Sequence, residues 1–356
     1  MKKTDKKNLI KQAVIITVLL VALLLINLFM DSYQIRIINL SLIYIVLGLS
    51  MNLINGFTGL FSLGHAGFMA IGAYTTALLT IPPELKEVNF YMKPIVPFLA
   101  DLNMPFVFAL LMGGVMAAIF GFLIGAPVLK LTDDYLAIAT LGFSEIIRVV
   151  IINLQSVTNG ALGLKGIPQI RNIFISEVFN VKPQINLLWA GVSAIITVYL
   201  MKRLMEGSYG KALKAIREDE IAARSMGVDL FKHKVMSFTL GSGLAGIGGG
   251  LLAVSLGTID PTLFKFALTF NILLIVVLGG MGSIMGTVFA AIIVTVAMEG
   301  LRFLDQAMDL GFFQTPALPG LRMVVFSLIL MMVIIFKKDN IFFTTYAKVR
   351  GRYAKN

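Results

Sequence analysis

Apolar stretches of about 17 to 25 residues recur along the whole of this chain, each long enough to cross a hydrocarbon layer about 30 Å thick. They run over Ala13–Met30, Ile37–Ile54, Leu60–Ile81, Pro105–Leu129, Tyr135–Leu154, Ile185–Met201 and Val235–Leu256, and the shorter apolar stretches Phe266–Leu278, Ile284–Met298 and Leu321–Phe336 bring the candidate spans to ten. Only 14% of the residues are charged and 58% are hydrophobic. Soluble domains carry about 25% charge, so a water-soluble globule is excluded.

The spans are expected to be helices, because an isolated strand leaves backbone groups unpaired in lipid and the ten-residue alternation of a membrane barrel is missing. Phe266–Leu278 and Ile284–Met298 are short and separated only by GGMGS, so they are either two tilted helices or half-spans that turn back inside the membrane. Placing the N-terminus in the cytoplasm puts twenty of the thirty Lys and Arg residues on that side, eight of them between Lys202 and Lys234. The positive-inside rule then sets both termini inside. The net charge of +11 is therefore topological: the basic clusters orient the chain and meet anionic lipid rather than nucleic acid. The chain has no cysteine, which removes disulfides and thiolate metal sites.

The opening MKKTDKKNLIK and the run Ala13–Met30 have the look of a signal peptide, yet the run is long and no A-x-A-like site follows, so an uncleaved first span is expected. The organisation is a basic cytoplasmic segment over 1–12, a membrane domain over 13–336 and a basic cytoplasmic tail over 337–356, with no separate soluble domain. The longest loops on the external side, Ile81–Met104, Gln155–Gln184 and Gly300–Gly320, hold many of the prolines and are expected to be rigid.

The largest polar segment is the cytoplasmic stretch over 202–234, which reads as helical. Glu218, Asp219 and Glu220 are placed at the start of a short helix and Arg224 near its end, matching the helix dipole, with Gly227 as a left-handed terminator. Leu213, Ile216 and Ala223 would share one apolar face that nothing in the chain need cover on the aqueous side. Such a face calls for a partner.

The run ALKAIREDEIAARSMGVD resembles the ATPase-docking loop of bacterial ABC importer permeases, in the version found in the LivM-type branched-chain amino acid permease family. GLSMNLINGFTGLFSLGHAGFMAIGAYTTALL, DDYLAIATLGFSEIIRVVIINL, GLKGIP, VVLGGMGSIMG and LPGLRMVVFSLILMMVIIF follow that family's order, so the resemblance covers roughly residues 37 to 336. It implies an ATPase-docking role for Ala215, Arg217, Glu218, Glu220, Ala222, Ala223 and Gly227. The general importer pattern E-A-A-x-x-x-G is matched at Ala222, Ala223 and Gly227, but Ile221 holds the Glu position and Glu220 comes one residue early. The following I-x-L-P is missing, as is the Pro often found in the Gly-rich loop represented here by TNGALGLKGIP.

No G-x-x-x-x-G-K-[ST] occurs, so a separate ATPase must use the ATP. GSGLAG, Gly241 to Gly246, matches G-x-G-x-x-G but lies inside a span with no strand before it, where small residues let helices approach closely. His65 sits among small residues near the cytoplasmic end of the third span. It either packs with a satisfied hydrogen bond or lines the pathway, and Asn52, Asn55 and Ser62 are its candidate partners. His233 lies in the basic loop and is expected to be solvated, so the two histidines form no metal site. Glu145 and Arg148 lie three apart in the fifth span and can pair. They are a structural ion pair or a contact for a zwitterion, and in either case should face protein or water rather than lipid. Asp133 and Asp134 are expected to cap that span.

The sequence thus reads as an all-α, polytopic helix bundle of about ten spans. The resemblance implies a permease subunit of an ABC importer for leucine, isoleucine and valine in a bacterial cytoplasmic membrane. It would work with a second homologous permease, two ATPase subunits and an external binding protein, hold no cofactor of its own, and do no covalent chemistry. Urea, short amides or other amino acids are alternative substrates within the family. A self-sufficient secondary transporter would need coupling carboxylates at mid-membrane, where Glu145 is the only acid well inside a span. An intramembrane hydrolase lacks a Ser-His or Asp-Asp constellation.

Overall fold

The computed structural model describes residues 23, 30–131, 133–168, 186–305, 308–309, 314–315, 320–321, 324–328 and 331. The expected first span Ala13–Met30 lies outside them except for Leu23 and Met30, and most of Leu321–Phe336 lies outside as well. Helix α1 (Ser32–Met51) runs on as a π-helix over Asn52–Phe57. It is followed by α2 (His65–Thr80), α3 (Phe106–Val128), α4 (Asp133–Asn153), α5 (Asn186–Glu206), α6 (Ser208–Glu218), α7 (Glu220–Ser225), α8 (Leu230–Leu256), α9 (Phe266–Gly279) and α10 (Ile284–Gly300). By length and composition α1 with its π-turn, α3, α4, α5 and α8 can each cross a membrane.

Helix α8 packs against α1, α2 and α3 and forms the centre of the bundle. Its glycines allow this. A Cβ on Gly246 would overlap Ala117 of α3, one on Gly72 of α2 would overlap the Gly246 carbonyl, and one on Gly249 would overlap the Met69 carbonyl. Close backbone approach replaces the hydrophobic drive that lipid cannot supply. Phe68 and Phe238 meet edge to face at 5.5 Å on the same seam.

The third span differs from its expected extent, because Leu60–Gly64 is not helical and α2 begins only at His65. Non-helical backbone at membrane depth persists only where protein satisfies it, and here other helices do so. Thr140 Oγ1 of α4 accepts from Leu63 N at 3.0 Å, Thr269 Oγ1 of α9 accepts from Ala66 N at 2.9 Å, and Asn55 Nδ2 donates to Ser62 O at 3.2 Å.

The loops joined to the far ends of α2, α4 and α8 are built rather than loose. Strand β1 (Leu164–Lys165) pairs antiparallel with β2 (Thr258–Ile259), Leu164 opposite Ile259. Asn89 holds Lys165 by its backbone on both sides, donating to its carbonyl at 2.8 Å and accepting from its N–H at 3.0 Å. The ammonium of Lys86 is turned inward onto the carbonyls of Leu99 (2.7 Å) and Leu102 (2.5 Å), and burial lowers its pKa from the ordinary lysine value.

Residues 1–292 form one compact unit and 293–356 a second. In the second, β3 (Met308–Asp309) pairs with β4 (Gln314–Thr315), and Arg302 is ion-paired with Glu299 at 2.9 Å.

Candidate functional site

The basic segment between α5 and α8 folds as two helices, not one, because Asp219 adopts an extended conformation (φ −159°, ψ 113°) between α6 and α7. Its carboxylate caps α7, accepting from Ile221 N at 2.8 Å and Ala222 N at 3.0 Å. This corrects the sequence expectation for two residues: Glu218 closes α6 instead of opening the next helix, and Asp219 is a cap rather than a first-turn acid. Glu220 and Arg224 sit in the first and last turns of α7. Gly227 has φ +82°, its N–H donates to Arg224 O at 3.0 Å, and Val228 N reaches Ala223 O at 3.1 Å, so the chain turns directly into α8.

The apolar face expected to await a partner is covered by the chain itself. Leu213, Ile216 and Ala223 are buried, the last two against Leu230 and Val228 where α8 begins. The break at Asp219 turns α7 back so that its face closes on its own helix root. Two other apolar side chains are left in solvent: Ile221 is 80% exposed and Met226 85%. Ala215, Arg217, Glu218, Ala222 and Gly227 are also exposed.

Two charged contacts key this pair of helices to the bundle. Arg217 Nη1 donates to Gly56 O at 2.8 Å, at the end of the π-helix, and reaches Met281 O at 3.4 Å in the α9–α10 turn. A guanidinium is well placed there, since the terminal carbonyls of a helix carry its negative pole. Gly282 (φ +82°) leaves room for it: a Cβ there would stand 2.5 Å from Nη1. Glu220 forms an ion pair with Lys234 of α8. His233 is not free in solvent as expected: it stacks on Tyr209 with centroids 5.3 Å apart, and its carbonyl accepts from the Tyr209 hydroxyl at 3.0 Å. Burial raises the Tyr209 pKa.

Most polar residues of the first spans are bonded inside the bundle, although Asn39 Oδ1, Asn55 Oδ1 and the Tyr74 hydroxyl have no hydrogen-bond partner among the described residues. His65 Nε2 lies 2.9 Å from Ser50 Oγ, so its partner is Ser50 and not Asn52, Asn55 or Ser62. Asn52 instead grips the α9–α10 turn. Its Nδ2 donates to Ser283 O at 3.1 Å and Thr287 Oγ1 at 2.8 Å, and its Oδ1 accepts from Gly282 N at 2.8 Å. Asn52 and Arg217 thus hold the same GGMGS turn from two directions. Ser50, Thr140, Thr269 and Thr287 were not legible as partners, because lone hydroxyls in apolar helices are common and usually bond within their own helix.

Glu145 and Arg148 do pair, Nε to Oε2 at 2.7 Å, but α4 leaves the pair open. The Glu145 side chain is 40% exposed and that of Arg148 23%, beside the exposed Gly142, Ile146 and Val149. Within this chain the pair is therefore only partly buried. Asp133 and Asp134 fall in the first turn of α4 rather than ahead of it, and their side chains lie outside the described residues. No group of three or more His, Asp or Glu residues suited to a metal occurs among the described residues.

With this geometry in place, comparison with known proteins becomes informative. The sequence model of the family described as "Branched-chain amino acid transport system / permease component" matches residues 33–335. The chain is similar to the high-affinity branched-chain amino acid transport system permease protein LivM of Escherichia coli, with 36% identity over 318 residues, covering 83% of this chain and 70% of that protein. It is also similar to a probable branched-chain amino acid transport permease protein LivM of Methanocaldococcus jannaschii, at 24% identity, 84% of this chain and 90% of that one. A shorter likeness, 30% over 118 residues, links it to the fructose import permease protein FrcC of Rhizobium meliloti, covering 32% of this chain and 33% of that protein. No solved structure matches the chain.

Proposed function

This chain belongs to the branched-chain amino acid transport permease family, and from that premise we propose how it works as the permease subunit of an ABC importer. It carries leucine, isoleucine or valine through the cytoplasmic membrane along a pathway shared with a second homologous permease. An external binding protein delivers the substrate, and two separate ATPase subunits use the ATP. Helices α6 and α7 dock the ATPase, with Ile221 and Met226 entering its surface and Ala215, Arg217, Glu218, Glu220, Ala222, Ala223 and Gly227 shaping the docking element.

One observation carries this reading. The α6–α7 pair is fixed to the bundle by Arg217 on Gly56 and Met281 and by Glu220 on Lys234, while it holds two large apolar side chains out in water. A short element that is rigid behind and apolar in front transmits a push. The push would reach the π-helix and the GGMGS turn through Arg217, because Asn52 ties those two elements together. Helix α8, joined to α7 through Gly227 to Asp229, would move with it.

The Glu145–Arg148 pair fits the pathway or the second permease, since a charge left facing lipid is costly. Asn52, Asn55, Ser62 and His65 shape the wall behind the pathway through their internal bonds rather than by touching substrate.

The test is ATP-driven uptake of leucine by the reconstituted complex, with ATPase retention measured in parallel. Ile221→Asp with Met226→Asp should release the ATPase and lower uptake at least tenfold. Gly227→Val has open space for its side chain, so its cost is conformational, about 1–2 kcal/mol for leaving the left-handed region. It should leave the protein inserted while uptake falls relative to ATP hydrolysis. Full uptake by both variants would refute the docking assignment, and uptake of urea in preference to leucine would refute the substrate.

A further inference from the structure

Where α3 ends, α7 turns and α8 begins, the surface holds an open cavity of about 470 Å³. Its walls combine two chemistries. Lys130, Arg224 and Lys234 bring three cations to it, and Glu220 is the single acid lining it. Glu220 is engaged by Lys234. Lys130 stands 5.8 Å over the Phe231 ring, and neither it nor Arg224 has a carboxylate partner among the described residues. The remaining walls are apolar, formed by Leu129, Leu131, Leu230 and Phe231. Leu131 and Phe231 are both well exposed, at 47% and 44%.

The cavity also terminates a track. Phe108, Met112, Val115, Ile119 and Phe122 recur at helical spacing along α3, and all are exposed, between 47% and 66%. From Phe108 to Lys130 is 22 residues, and at 1.5 Å per residue that is about 33 Å, roughly the depth of the hydrocarbon layer. An exposed apolar stripe of about 21 Å, from Phe108 to Phe122, therefore runs toward a pocket whose Lys130 and Arg224 have no carboxylate partner among the described residues, on the side of the chain rich in Lys and Arg.

We propose that this cavity is a binding site for the headgroup of an anionic phospholipid, whose acyl chain lies along the exposed stripe of α3. The phosphodiester would accept from Lys130 and Arg224, and the first carbons of the chain would lie on Leu131 and Phe231. A soluble phosphate could match the charges but would leave the apolar walls wet. A zwitterionic lipid could match the walls, but its own ammonium would offset the attraction to the two cations. Only an anionic amphiphile satisfies both halves of the site. Because Arg224 belongs to α7 and Lys130 to the end of α3, the lipid would join the two and brace α7 against the membrane. This assignment stands on the cavity and the stripe, and is independent of the substrate and partners proposed above.

The experiment is native mass spectrometry of the full-length chain in mild detergent, titrated with dioleoylphosphatidylglycerol, with dioleoylphosphatidylcholine, or with soluble glycerol 1-phosphate. One phosphatidylglycerol should be retained with higher affinity than phosphatidylcholine. Lys130→Gln with Arg224→Gln should weaken that retention roughly thirtyfold, at about fivefold for each basic residue near a lipid surface. Lys130→Arg with Arg224→Lys keeps both charges and should keep the lipid, which separates loss of binding from loss of fold. Equal retention by the wild type and the neutral variant would overturn the proposal. So would displacement of the lipid by glycerol 1-phosphate at matched concentration, or equal affinity for the two lipids.

Discussion

Two polar groups lie within the apolar helices of this chain, and they are finished differently. Around α1 most polar groups that reach inward are answered from within the molecule: His65 by Ser50, the Asn55 amide N–H by the Ser62 carbonyl, and Asn52 by three atoms of the α9–α10 turn, while Asn39 Oδ1 and Asn55 Oδ1 find no partner among the described residues. On α4 the Glu145–Arg148 pair is complete in itself yet stands open beside Gly142, Ile146 and Val149. A buried group satisfied by its own chain needs nothing more, so its role is to hold the fold. A charged pair satisfied only by its own members still needs a polar surface in front of it, because hydrocarbon solvates neither ion. We therefore expect the first group to hold the fold and the second to mark where this subunit meets pore water or the proposed second permease.

The sharpest test of that division is Asn52→Leu. The change keeps most of the volume but strands Gly282 N, whereas Ser283 O still accepts from Thr287 N at 3.2 Å and from Thr287 Oγ1 at 2.8 Å. An unmet buried donor costs about 1–3 kcal/mol, so a loss of about 2 kcal/mol is expected in the stability of the purified chain. Thermal unfolding in detergent measures it. A variant as stable as the parent would move Asn52 out of the architectural class. Next in size is Ser50→Ala, which leaves the His65 ring without its partner and should cost about 1–2 kcal/mol in the same assay. Transport per folded molecule should stay near the parental value. A selective loss of transport with stability intact would put His65 on the pathway instead.

The legibility of the molecule followed the same line between pattern and partnership. The spans α1, α3, α4, α5 and α8 could be found from apolar length alone, because a helix needs no partner to satisfy its backbone in lipid. Helices α6 and α7 could be located from their acids, basic residues and Gly227. What could not be read was the break at Asp219, since an aspartate in a helical run is either a residue of the helix or a cap according to a single ψ angle. That break turns α7 back, so the face expected to be open, Leu213, Ile216 and Ala223, is inside, while Ile221 and Met226, which the apolar pattern did not single out, stand outside. The late start of α2 at His65 was hidden for a related reason. Leu60–Gly64 is as apolar as a helix, and the threonines that allow it to unwind, Thr140 and Thr269, come from segments 77 and 203 residues away from the backbone they bind. Arg217 could be placed in the docking loop by resemblance, but its acceptors are backbone carbonyls, which carry no sequence signature.

The smallest change in stability and the clearest change in activity should come from Glu145→Gln. With the Glu145 side chain 40% exposed and that of Arg148 23%, the pair is closer to a surface ion pair than a buried one, and breaking it in the isolated chain should cost less than about 1 kcal/mol. This is well below the 3–5 kcal/mol typical when one member of a fully buried pair is removed. In the proposed assembly a partner facing α4 would close the same site off from bulk solvent, and Arg148 would then carry an unmatched charge. Uptake by the reconstituted complex should fall at least tenfold while the purified subunit melts within a few degrees of the parent. Replacing both residues, Glu145→Gln with Arg148→Gln, removes the unmatched charge and separates two roles. Recovery of uptake would assign the pair to the contact with the second permease, where neutral side chains can pack, whereas persistent loss would assign it to the pathway, where the charges meet the substrate's ammonium and carboxylate. If Glu145→Gln instead lowers the stability of the isolated chain by several kcal/mol, the pair is architectural like His65 and Asn52, and the contrast between the two regions fails.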